Sequence, residues 1–187
     1  MLPTGVFVKT ELEMLISSLP DRLIARGPSR LTVDAEPKDS DADEQSFLGL
    51  SQWSDEWCFI EIRGPVELGS LVVESVVKHE PVSEVLSCHF QPEEGEFSYA
   101  LFRDGLLMES FESSGPSIET VNFTSELRRV PIQNLLRASD FMIDALCDFG
   151  IDSGIRSTAE VRKVVFHINL PGKRTFWQML LGAASSR

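Results

Sequence analysis

Cys88 and His89 stand side by side in VLSCHFQ, and a thiol beside an imidazole is the pair from which a thiolate nucleophile is made. The local pattern argues against that chemistry. Residues 82–91 read as a strand, in which neighbouring side chains point to opposite faces. Cys88 then shares the side of Leu86 and Phe90, which is expected to be core, while His89 points away from it. His79 precedes Glu80-Pro81 at an element end, and His167 sits on the polar side of an alternating run; neither has an acidic or cysteine partner at metal-ligand spacing. GxSxG, HExxH, paired CxxC, a P-loop and GxGxxG are all absent. No catalytic residue and no cofactor is expected.

The stretch DAEPKDSDADEQ (34–45) holds six carboxylates and one lysine. Asp39, Asp41 and Asp43 occupy the first, third and fifth positions of an EF-hand loop, but its sixth position is Glu44 rather than glycine and its twelfth is Leu50 rather than glutamate. Without the glycine the sharp turn is disfavoured, and without the glutamate a cation loses two oxygens. No bound metal is expected. Acidic and poor in large apolar residues, the segment at about 34–46 reads as a mobile surface loop whose charges, chiefly Asp39, Asp41, Asp43 and Glu44, steer a partner.

The whole chain of 187 residues carries a net charge of -12, unevenly spread. Residues 55–119 hold 14 of the 29 acids and 3 of the 17 lysines and arginines, whereas residues 120–187 hold 6 acids and 9 bases. Such a middle repels phosphate backbones and anionic lipid and attracts a basic protein, so direct binding to nucleic acid or membrane is not expected. MLPTGVFVKTELEM lacks the basic start and apolar run of a secretory signal, and nothing approaches the roughly 18 apolar residues of a membrane span. Cys58, Cys88 and Cys147 are odd in number and set in apolar runs, which suits buried, reduced thiols and a cytoplasmic protein.

These residues need elements to carry them. Thr10 and Glu13 have the capping-box form, and Leu12, Leu15, Ile16 and Leu19 mark one face of a helix over 10–19 that Pro20 should end. Residues 30–36 and 57–63 read as strands, the latter with Cys58, Ile60 and Ile62 on one face. Residues 67–80 have strand-favouring valines but a helical repeat at 68, 72 and 76, and are taken as a helix. Asp104-Gly105 between two apolar runs predicts a tight hairpin, and PEEGE links it to 82–91 in a three-stranded meander. Pro131 and Gly150 bracket a helix with Ile132, Leu135, Leu136, Ile143 and Leu146 inward; 162–170 alternates as a strand, and TFWQMLLGAA is a short apolar helix. The expected fold is one α+β domain over 1–187, an antiparallel meander sheet with helices packed mainly on one face.

On this frame a basic partner would be held by acids on regular structure: Glu93, Glu94 and Glu96 at a hairpin turn, Glu109 and Glu112 on the adjoining strand, and Asp140, Asp144 and Asp148 at four-residue spacing on a helix. The charge logic is that of an immunity or inhibitor protein whose carboxylates occupy the phosphate-binding surface of a cationic toxin such as a nuclease. Two rivals stand beside it. One is a small enzyme or ligand-binding domain with a pocket between sheet and helices; the other is a structural subunit that self-associates through Phe176, Trp177 and Leu180.

Overall fold

A strand that is apolar on both sides belongs inside a sheet, and GVFVK is such a run, with Val6, Phe7 and Val8 all buried. The computed structural model describes residues 5–29, 31–34, 46–78, 84–91, 96–116, 121–127, 137–151 and 163–169. Along the chain these form β1 (Gly5–Lys9), α1 (Leu12–Arg26), β2 (Thr32–Asp34), β3 (Ser46–Gln52), β4 (Trp57–Arg63), α2 (Val66–Val77), β5 (Glu84–Gln91), β6 (Glu96–Arg103), β7 (Leu106–Ser113), β8 (Val121–Ser125), α3 (Ala138–Asp148) and β9 (Lys163–Asn169). The strands make one nine-stranded sheet of order β2-β9-β3-β4-β1-β5-β6-β7-β8, and every neighbouring pair is antiparallel. The α+β architecture and the three-stranded meander β5–β7 are as the sequence leads one to expect, and β8 extends that meander by a fourth strand. At the β6–β7 turn, Asp104 has φ 50° and Gly105 φ 80°, the two positive values that an Asp-Gly turn supplies cheaply.

Alternation along the strands divides the core in two. On one face Val6, Val8, Leu48, Leu50, Cys58, Ile60, Val85, Phe166 and Ile168 pack with Leu12, Leu15, Leu19 and Leu23 of α1 and Leu68, Val72 and Val76 of α2. On the other, Phe7, Trp57, Phe59, Leu86, Cys88, Phe97, Tyr99, Leu101 and Phe111 pack with Phe141, Met142, Ala145 and Leu146 of α3. The helices are therefore split between the faces, two and one, rather than gathered on one. Trp57 ties its side together by donating from Nε1 to the Phe149 carbonyl, 3.2 Å away.

Pro20 does not end the first helix. The buried stripe continues from Leu19 to Leu23, and burying leucines at about 1.5–3 kcal/mol each offsets a lost backbone bond and ring clash of about 3 kcal/mol. The capping box does not form either: the helix starts at Leu12, Glu11 is the cap residue, and no side chain caps it. In α3 the inward residues are Phe141, Met142, Ala145 and Leu146, so Ile143, expected in the core, is 37% exposed and Cys147, expected to be buried, is exposed. Residues 131–136 and 170–187, with Phe176, Trp177 and Leu180, lie outside the described residues, as does His79.

Candidate functional site

Apart from the hairpin end, where Phe102 of β6 joins their core and Gly105 lies near the Val77 carbonyl, helices α1 and α2 cover their face of the sheet only as far as β5. Beyond it, the same face of β5–β8 presents small polar residues set in register. Ser87, Ala100, Ser110 and Thr124 are successive cross-strand partners, and so are His89, Ser98, Glu112 and Asn122. Because strands are about 4.8 Å apart and alternate residues about 7 Å apart along a strand, these form two parallel rows that cross four strands over about 14 Å. The Ser110 and Thr124 hydroxyls are 2.6 Å apart, which fixes the far end of the first row.

The rows floor a depression of about 300 Å³ lined by Ser87, Ser98, Ala100, Ser110, Glu112, Asn122 and Thr124 among others. At Ser87 it meets a larger one, of about 740 Å³, between the sheet and α2, where Gly69, Ser70, Val73 and Glu74 form the wall. Its floor depends on β1 and β4 lying very close: a Cβ on Gly5 would collide with the Ile60 carbonyl oxygen and stand 2.7 Å from the Phe59 ring. Among the described residues, the two linings hold two carboxylates, Glu74 and Glu112, one imidazole, and no lysine or arginine. Neither carboxylate forms an ion pair with a described residue. The central cations are engaged elsewhere: Lys9 lies 3.2 Å from Glu56 and 3.4 Å from Glu84, and Arg103 lies 2.5 Å from Glu84. The hydrogen bond to Glu56 is the main cause that lifts the Lys9 pKa above its ordinary value, against the opposing effect of burial.

The acids singled out from sequence do not form one surface. Glu109 and Glu112 are three positions apart on β7, an odd separation, and face opposite sides of the sheet. Glu112 is exposed on the polar face, whereas Glu109 is 1% exposed on the α3 side, with Tyr99 Oη 2.6 Å from one carboxyl oxygen and Ser125 Oγ 2.7 Å from the other. Glu109 is therefore withdrawn from any partner by its own sheet. Glu96 is exposed and by alternation shares the face of Ser98 and Glu112. Asp140 and Asp148 are exposed and Asp144 half-buried on α3, which covers the opposite face. Glu93, Glu94, Asp39, Asp41, Asp43 and Glu44 lie outside the described residues.

Nucleophilic chemistry finds little support in this arrangement. Cys88 is on the core side, and burial pushes its thiol far up, while desolvation takes Cys58 up to about 12; both are the reverse of what activates a thiolate. On the polar face the row runs His89, Ser98, Glu112, with the hydroxyl in the middle. A relay needs the base between the nucleophile and the group that orients it, so this order is wrong for a serine hydrolase. His167 is half-buried rather than exposed, and its Nδ1 has no hydrogen-bond partner among the described residues. Among the described residues no group of three or more histidines, cysteines and acids is placed to hold a metal ion, and no helix is long and apolar enough to cross a membrane.

The signal for the polar face is present as a period of two in SxH, SxA, SxE and NxT, but it becomes a site only when four strands are aligned, and the Asp-Gly turn joins just one pair of them, β6 and β7. Comparison of the chain with protein-family models, curated proteins and solved structures returns no match.

Proposed function

We propose that this is a non-enzymatic, acidic protein of the cytoplasm that engages a basic protein partner and neutralises it, as an immunity or inhibitor protein does to a cationic toxin. The observation that supports it most is the open face between α2 and β8, whose described lining residues include two carboxylates and no lysine or arginine, in a chain of net charge -12. Partners approach such a face fast, because its field raises the encounter rate, and a carboxylate that has no internal ion pair is free to take a lysine or arginine from outside. An enclosed apolar cavity with converging carboxylates would favour an enzyme instead; both depressions are open, and the smaller is floored by hydroxyls.

The test is capture of the partner on the immobilised full-length protein from the cells that make it, followed by calorimetry on the purified pair across a range of salt. The reading requires a partner of basic isoelectric point, affinity that falls as salt rises, and loss of the partner's own activity at one equivalent. An acidic partner, or affinity indifferent to salt, overturns it.

A further inference from the structure

A glycine inside a helix is less favourable than alanine, and a structural reason for one is usually a close neighbour. Gly69 has none. It lies inside α2, and a Cβ built on it meets no atom of a described residue within 4 Å, because it opens into the 740 Å³ depression. Nothing described in the molecule requires this gap, while something seated beside α2 would.

The shape of the gap restricts what that is. The Ser87-Ala100-Ser110-Thr124 row and the His89-Ser98-Glu112-Asn122 row lie side by side, about 7 Å apart centre to centre, and most of their side chains are short, so an extended chain can run along this lane with its backbone close to both rows. Its side walls offer hydroxyl and amide groups that can both donate and accept, which suits a backbone with one donor and one acceptor per residue. Its two carboxylates, Glu74 towards α2 and Glu112 towards β8, are on different elements and so would meet different side chains of the occupant.

We propose that this lane holds an extended segment of a protein, with arginine or lysine side chains directed to Glu74 and Glu112 and its backbone lying against the hydroxyl rows. The inference rests on the reading of a basic partner and names where and in what form that partner is held. Four to five residues cross β5–β8 at about 3.3 Å each, and a somewhat longer segment reaches α2, which packs beside β5.

A fluorescent peptide of about nine alternating arginine and serine residues is the probe, titrated into full-length protein at physiological salt. Saturable binding to the wild type is expected, with Gly69→Ala weakened a few-fold, Glu74→Gln with Glu112→Gln weakened at least tenfold, and Gly69→Trp, which fills the depression beside α2, weakened at least tenfold. Unchanged thermal melting of Gly69→Trp shows that it has folded, and the double glutamine variant gives an independent measure if it has not. Reversal of the α3 stripe, Asp140→Lys with Asp144→Lys and Asp148→Lys, should leave affinity within a few-fold. Binding that survives both Gly69→Trp and the glutamine pair, equal binding of a glycine–serine peptide, or no binding to the wild type overturns the inference. The captured basic partner would still stand in each of these cases, since it is tested by its own charge and salt dependence. A captured partner that binds Gly69→Trp as tightly as wild type removes this lane and leaves the wider reading intact.

Discussion

Tyr99 and Glu109 meet on the α3 side of the sheet, the phenol Oη donating to Glu109 Oε1 across 2.6 Å while Ser125 Oγ donates to Oε2 across 2.7 Å. One carboxyl group thereby joins β6, β7 and β8, the three strands that floor the lane on their other side. Ser125 Oγ also accepts from the Leu127 backbone N–H at 3.2 Å, so the arrangement extends to the chain leaving β8. Since a buried polar group deprived of its partner costs about 1–3 kcal/mol, Glu109→Ala, which takes the acceptor from two hydroxyls, should destabilise by more than Tyr99→Phe, which takes one donor from one carboxyl oxygen. Urea unfolding of both single variants and the double variant measures the coupling. A coupling near zero would mean that the pair does not hold these strands.

Gly69 supports a prediction of stability that needs no partner. Alanine in a helix interior is favoured over glycine by about 1 kcal/mol, and here its methyl group has open space around it. Gly69→Ala should raise the urea midpoint without altering the slope. A fall in stability would show that the gap is closed in solution.

The three cysteines should divide by burial rather than behave alike. Cys147 is exposed and should react with a thiol reagent in the native state, whereas Cys58 and Cys88 are buried and should react only on unfolding. Desolvation raises both buried thiols, Cys58 from 9.0 to about 12, so the folded protein keeps protons that the unfolded chain has lost. Their contribution is whole below pH 9 and declines as pH rises from there to about 12, with a slope of about 1.4 kcal/mol per pH unit for each thiol. Urea unfolding between pH 8 and 11 checks this, and Cys58→Ala should flatten the decline. Rapid native labelling of Cys88 would contradict it.

Periodicity made most of the elements legible and failed where two demands met in one segment. The alternation at 57–63 and 163–169 and the Asp-Gly turn each correspond to an element near the expected residues. β1 was missed because it is buried on both faces and shows no alternation, only Val6-Phe7-Val8. β3 was hidden because Leu48 and Leu50 alternate with Gly49 and directly follow the acidic stretch. Pro20 was read as a stop because local propensity was weighed without the leucine stripe beyond it, which only tertiary packing reveals. The polar face needed the register of four strands, and Glu109 was placed outside when the even–odd count from Phe111 would have placed it within.

The same acids should divide into those that steer and those that hold. Asp39, Asp41, Asp43 and Glu44 add field to the approach of a cation, and field acts on the association rate and is screened by salt. Serine at all four should therefore slow association and flatten its salt dependence while dissociation changes little. Glu112, on a strand paired on both sides and already positioned, needs no ordering to meet a partner cation, so reversing it should act in the other direction. Glu112→Lys leaves a partner cation desolvated and faced by a like charge, and should speed dissociation by about tenfold or more, since even a coupling of about 1.5 kcal/mol is worth that much. Stopped-flow association and surface-based dissociation with the isolated partner separate the two effects. If Glu112→Lys changes only the association rate, its carboxylate lies outside the contact and merely adds to the field.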